Sequence, residues 1–323
     1  MAELEGALRP LEDLDHQALR DPYVVAGFGG WIDAGSASSG AVEHLIKRLV
    51  ARRVAELDPE WFYAFSDTRP WTRPVEGHGR VNVWPRAEVY VARLPESARR
   101  DLILFSAPEP NLRWRGFCET VVDAFRRLGA VGLLSLGAVL APVHYRVRVR
   151  LRGWGTTPEF RTALRERRIG WTSYEGPTGI ATVLHAIAQE HGLPGAGLTA
   201  LTPSYLPRVM HPWTAAALLR TVGDLSGVRL PVEPLEQAGR ALAEQIDQFL
   251  AERPQLREEI EGLGDPDLGE PEAEQESTGE RTPAAEDQPP AELPSPEAVL
   301  QDLEQFLKSL REGGEANGSE SES

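Results

Sequence analysis

One cysteine, Cys118, serves a chain of 323 residues. A single thiol excludes any intramolecular disulfide and any cysteine zinc cluster, and its place in an apolar helical stretch reads as a buried structural side chain. No run of about 18 apolar residues occurs, so nothing reads as a membrane span. No basic-then-apolar leader precedes Tyr23, so the expectation is a cytoplasmic protein. Catalytic signatures are also missing. Gly27, Gly29 and Gly30 invite a dinucleotide reading, but Ile32 stands where the third glycine belongs, and Ser36 and Ala37 stand where a phosphate-binding loop needs Lys and Ser or Thr. There is no Gly-x-Ser-x-Gly elbow and no metalloprotease pairing of histidines. No cofactor and no metal are therefore expected.

Basic residues are scarce in one region only. Residues 264–323 hold 17 of the 49 acidic side chains and 3 of the 34 basic ones, a net −14 of the formal −15. The remaining body is nearly neutral at −1. It has no bulk field to attract nucleic acid. The acidic stretch, rich in Glu, Pro, Ser and Gly, cannot bury enough apolar surface to offset chain entropy and reads as a disordered tail. One island interrupts it: Val299, Leu303, Phe306 and Leu310 recur at helical spacing, predicting a short amphipathic helix near 296–311. The helix either folds back on the body or binds a partner. On the first division, 1–263 is the folded body and 264–323 the tail, and cutting after Leu263 is expected to leave the melting temperature almost unchanged.

Within the body, strands are expected at 23–28, 61–65, 80–84, 88–93, 102–105, 131–136 and 197–201. Helices are expected at 38–53, 114–128, 158–168, 178–191, 212–226 and 235–252. Alternation of the two predicts an α/β fold, a mixed or parallel sheet covered by helices on both faces, with the last helices forming a C-terminal helical lobe. Tyr145 to Arg152 alternates apolar residues with Arg and reads as a solvated edge strand with one basic face. That face lacks the aromatic partners that would stack nucleic-acid bases.

Four segments at strand ends carry the polar chemistry. Trp31 and Asp33 follow the first glycine turn; Glu109, Asn111 and Arg113 precede Trp114; His144 follows the Leu136-Gly137-Ala138 turn; Tyr174, Glu175 and Thr178 lie before an apolar helix that Thr178 is positioned to cap. Loops beyond the carboxyl ends of strands gather in one crevice in open α/β sheets. These nine residues are the candidate crevice. They fit either a small polar ligand, with a carboxylate raised by burial acting as acid or base, or an ion-pair network that fixes loop geometry. No residue combination spells out a reaction, so catalytic residues are left unassigned.

Gly30-Trp31-Ile32-Asp33-Ala34-Gly35, Glu109-Pro110-Asn111-Leu112-Arg113-Trp114-Arg115, Leu136-Gly137-Ala138 and Tyr174-Glu175-Gly176-Pro177-Thr178-Gly179-Ile180 resemble, in order and spacing, the motif set of the proteasome assembly chaperone 2 family in its bacterial, actinobacterial-type branch. The resemblance spans about Tyr23 to Leu263. It implies a phosphorylase/hydrolase-like α/β fold, self-association, and, in archaeal and eukaryotic relatives, help in assembling proteasome subunits. The chain departs from it at Ala141-Pro142-Val143-His144-Tyr145-Arg146-Val147, where an Asp-x-Pro-His-x-Arg-Pro-like segment is usual, and an acidic residue is missing. It also ends Ser321-Glu322-Ser323 rather than in the hydrophobic-Tyr-any tripeptide by which archaeal members dock on the proteasome.

The expected function is that of a non-enzymatic, oligomeric assembly or scaffold protein, its partners being itself and other protein subunits, with no nucleic acid and no membrane. Apolar residues of the late helices around Trp213, Leu218 and Leu219 are the expected contact surface. The alternative is a small-molecule enzyme, a hydrolase or ligase working on a polar substrate in the crevice.

Overall fold

Val24 through Phe28 are buried without a break, which a strand achieves only when both faces of its sheet are covered. A computed structural model describes residues 6–15, 17–75, 77, 79–172, 174–263, 299, 301–303 and 305. In chain order the strands are β1 (Leu8–Pro10), β2 (Tyr23–Gly29), β3 (Arg52–Leu57), β4 (Trp71–Val75), β5 (Gly79–Val83), β6 (Ala87–Ala92), β7 (Leu102–Pro108), β8 (Gly132–Ala141), β9 (Leu151–Gly155), β10 (Gly170–Trp171) and β11 (Gly195–Pro203). The helices are α1 (Ala37–Arg48), α2 (Trp114–Arg127), α3 (Pro158–Glu166), α4 (Ile180–Glu190), α5 (Pro212–Ser226), α6 (Glu233–Ala251) and α7 (Pro254–Gly262).

Nine strands form one mixed sheet in the order β1-β3-β6-β7-β2-β8-β11-β9-β10, and β4 and β5 make a separate hairpin. β7, β2, β8 and β11 run parallel at its centre. Their carboxyl ends therefore open on the same side, and β2 lies between β7 and β8, the two strands joined by α2. Side chains alternate across the sheet. Val24, Ala26 and Phe28 join the cluster under α2 and α4. Val25 joins the opposite cluster, with Leu104, Leu134 and Leu198, beneath α1, α3 and α5. The α/β expectation thus holds, with antiparallel strands flanking the parallel centre.

Four local expectations are corrected. Residues 61–65 are not a strand: Pro59–Trp61 is a 3-10 turn capped by Asp58, whose carboxylate accepts the Glu60 N–H at 3.1 Å. The first helix stops at Arg48 without a glycine, because Val50 takes the left-handed conformation (φ 49°) and the Ala51 N–H returns to the Ile46 carbonyl. This frees Arg52–Leu57 to form β3. Residues 145–150 also leave the sheet. The Tyr145 N–H donates to the Tyr205 hydroxyl and the Val147 N–H to the His144 carbonyl, so the backbone donors that an edge strand needs are turned inward. Only 151–155 pairs, and β9 is flanked on both sides, by β11 and β10. Finally, Leu218 and Leu219 of α5 are fully buried, and Trp213 packs against Gly239 of α6. The late helices therefore offer these side chains to their own core and not to a second copy.

A third apolar cluster joins α6 and α7 to the loop between β11 and α5, and Val299 and Leu303 belong to it. Both are buried, as is Asp302. Of the two readings of the helix near 296–311, these residues agree with the one that folds back on the body. The disorder expected for 264–298, and the far half of the helix expected near 296–311, lie outside the described residues.

Candidate functional site

Helix N-termini leave unpaired N–H groups and a positive end, and a carboxylate satisfies both. The crevice carboxylates do this. Asp33 Oδ1 accepts the N–H groups of Ser38 (2.8 Å) and Ser39 (3.1 Å) at the start of α1, and Oδ2 accepts the Ser39 hydroxyl at 2.6 Å. Burial pushes the Asp33 pKa up to about 7 in spite of these three donors. Glu109 reaches across the crevice: its Oε1 accepts the Ile180 N–H at 2.7 Å, the first helical donor of α4, and its carboxylate also accepts the Trp31 N–H. Burial raises its pKa as well, partly offset by those two donors.

Thr178 does not cap α4. Gly179 is the N-cap, no side chain of the loop bonds back to the helix, and the cap comes from Glu109 on another element. Gly30 makes the approach feasible. Its φ is +139°, and a Cβ there would lie 2.9 Å from the Glu109 Cβ, so only glycine fits the turn.

The remaining candidates divide. Asn111 Oδ1 accepts the Ala64 N–H and the Thr68 hydroxyl, both at 3.0 Å, and fastens the 62–68 loop. Arg113 stacks its guanidinium on Trp61, 5.0 Å from the ring centroid. Among the described residues it makes no ion pair with Asp33, Glu109 or Glu175. The expected network of paired charges is therefore replaced by carboxylates bonded to backbone, since two helix starts supply the donors that arginine was expected to supply. Tyr174 is exposed, its hydroxyl donating to the Pro177 carbonyl at 2.9 Å, and Glu175 and Thr178 are exposed on the same loop. Trp31 is 60% exposed.

His144 is elsewhere. It stacks on Tyr145 at 4.4 Å and lines a cavity of about 330 Å³ with Tyr145, Asp247, Leu250, Arg257 and Glu261, beside the helical lobe. Burial first, and then Arg146, lower its pKa. Tyr145 and Arg146 both bond to Asp247, which draws this segment to α6 and away from the crevice.

One pair escaped the sequence reading. His185 Nε2 lies 2.9 Å from the Ser135 hydroxyl, and both side chains are buried. A Ser–His contact suggests nucleophilic chemistry, but burial drives this histidine to a pKa of about 3, too weak a base for neutral pH. Only register across β8 and α4 makes the pair visible. Among the described residues no group of three or more His, Cys, Asp or Glu side chains could hold a metal ion.

The fold is shared with solved proteins. The PAC2 family model matches residues 27–250, and the chain belongs to the PAC2 family. A PAC2 family protein from Streptomyces avermitilis is 35% identical, with 71% of this chain and 95% of that chain covered and a TM-score of 0.66. The Mycobacterium tuberculosis proteasome-assembly chaperone homologue Rv2125 is 34% identical, with 74% and 99% covered and a TM-score of 0.66. PbaB of Pyrococcus furiosus, an archaeal proteasome activator, is 18% identical over 75% of this chain and 97% of its own, with a TM-score of 0.57, and shares the fold. Among curated proteins none matches. The actinobacterial-type resemblance read from the four motifs agrees with the first two of these relatives.

Proposed function

We propose that this chain is a non-enzymatic, self-associating assembly factor of the cytoplasm that holds other protein subunits, in the manner suggested by the proteasome-assembly chaperone homologue it resembles. One observation carries the reading: the two crevice carboxylates best placed for chemistry are consumed as helix caps, while Trp31, Leu112, Leu140 and Tyr174 stand exposed on the loops and strand ends around them. Exposed aromatic and aliphatic side chains grouped at one end of a sheet suit contact with another protein. The hydrolase or ligase alternative needs a free acid, base or nucleophile there, and Asp33, Glu109 and the Ser135–His185 pair are each committed or buried. No helix among the described residues is long and apolar enough to cross a membrane.

Light scattering on the full chain is the test. The wild type is expected to exceed the single-chain mass of 35.5 kDa at micromolar concentration, and Trp31→Asp to return it toward that mass. Trp31 is exposed, so its melting temperature is expected to stay within roughly 1–2 °C, in keeping with small surface effects. A wild-type monomer, or an oligomer indifferent to both Trp31→Asp and Leu112→Asp, overturns the proposed surface.

A further inference from the structure

The Asp302 carboxylate is buried and held by one residue. Oδ2 accepts the Arg208 backbone N–H at 2.9 Å and Oδ1 accepts the Arg208 Nε–H at 2.8 Å, while Gln305 bonds to the same guanidinium. On either side of it in the sequence Val299 and Leu303 enter the cluster formed by Tyr205, Leu206, Val209, Leu256 and Ile260. The three buried side chains lie at i, i+3 and i+4, the spacing of one helix face.

Among the described residues the segment contributes two aliphatic side chains and one ion pair. Thirty-five residues, 264–298, separate the segment from α7, a chain able to reach roughly 120 Å if drawn out. The segment can therefore leave its seat with α6 and α7 intact. Covalent linkage keeps the segment at a high local concentration beside its seat.

We infer that the helical lobe is a docking site for a short amphipathic helix of the pattern apolar, acid, apolar at i, i+3, i+4, and that the chain's own 299–305 segment is its displaceable occupant. Arg208 is the selective element. An acid at the middle position meets a guanidinium and a backbone N–H already aimed at it, whereas an amide there loses the charge and leaves one pairing frustrated. The seat also borders the crevice. Pro207 and Val209 flank Arg208 and close over Gly35: the Gly35 N–H donates to the Pro207 carbonyl at 3.1 Å, and a Cβ on Gly35 would lie 2.6 Å from the Val209 carbonyl oxygen. Occupancy of the lobe thus bears on the loop that carries Asp33 and Trp31.

A fluorescein-labelled peptide of residues 295–311, titrated into the full chain and followed by anisotropy, tests this. In a full chain carrying Leu303→Asp the seat is vacated, and saturable binding of the peptide is expected. The wild-type chain, already occupied, is expected to bind it at least tenfold more weakly. The same peptide with Asp302→Asn is expected to lose at least tenfold on the Leu303→Asp chain. Hydrogen exchange in that chain is expected to quicken at 204–211 and 33–36. Val299→Asp provides a second vacated chain should Leu303→Asp fail to fold. Equal binding to wild type and variant, no binding to a folded variant, indifference to Asp302→Asn, or unfolding of both vacated chains overturns the inference.

Discussion

A chain carrying Glu109→Leu is expected to melt roughly 5–10 °C below the wild type, while Glu109→Gln stays within about 3 °C. Leucine leaves the Ile180 and Trp31 N–H groups without their acceptor, and each buried donor left unpaired costs about 1–3 kcal/mol. At this domain size 1 kcal/mol corresponds to about 2–4 °C. Glutamine keeps a carbonyl oxygen in reach of Ile180 and gives up the charge that favours the α4 N-terminus, about 0.3–1 kcal/mol, and at most the contact with the N–H of exposed Trp31. Differential scanning calorimetry on the two variants separates the possibilities. If Leu and Gln are equally harmless, the carboxylate is not the cap and is free for a ligand. If they are equally harmful, the charge itself carries the role, as an acid–base or ion-pair function requires. The cap therefore makes a structural claim that bears directly on function, since a carboxylate that holds two loops together cannot turn to a substrate without releasing them.

Much of the fold was legible because its signals are local. The continuous apolar runs at β2, β7 and β8 and the helical periods of α2, α4 and α5 placed the central sheet and most of its cover, and α5 matches residue for residue, since Pro212 and Gly227 mark its two ends. Local signals failed where tertiary partners decide. Nothing in the sequence near Val50 announces a left-handed stop, so the helix expected at 38–53 took in the first two residues of β3 and the strand itself was not expected. The alternation at 145–150 describes a strand, but Asp247 lies 101 positions from Arg146 in sequence and draws it out of the sheet. The crevice divides the same way. Strand-end placement put Trp31, Asp33 and Glu109 on neighbouring loops, whereas the partners of the carboxylates are mostly backbone N–H groups and invisible to residue type. The helix near 296–311 follows the same rule: Val299 and Leu303 advertise an amphipathic face, which left fold-back on the body as one of two readings, but the sequence does not say that Arg208 waits for the acid between them.

Acid is expected to destabilise the protein as soon as pH falls below the ordinary histidine range. His185 and His211 are buried, and burial lowers their pKa from 6.5 to about 3 and about 4. Between those values and pH 6.5 the unfolded chain binds a proton at each site that the folded chain refuses, so unfolding free energy rises with pH across this window. The contribution is fully present above pH 6.5 and is lost as pH falls. Half-buried His44 and His144 shift in the same direction, burial being the first cause in both. Asp33 opposes them. Its pKa rises from 3.8 to about 7, again chiefly through burial; between those values the folded chain holds a proton that the unfolded chain has released, and stability falls as pH rises. From about pH 4 to pH 6.5 two buried histidines act against Asp33 and against Glu109, whose pKa burial also raises, leaving a net positive slope on the order of one proton, about 1.4 kcal/mol per pH unit. The melting temperature is thus expected to drop by several degrees per unit as pH falls from 6.5 to 4. Replacing His185 by Gln, which keeps an amide within reach of Ser135 but does not titrate, is expected to reduce that slope by about one proton, whatever it does to the melting temperature at pH 7. A Gln variant with the wild-type slope would show that His185 is protonated in the fold, and that the Ser135–His185 pair is open to solvent and to chemistry after all.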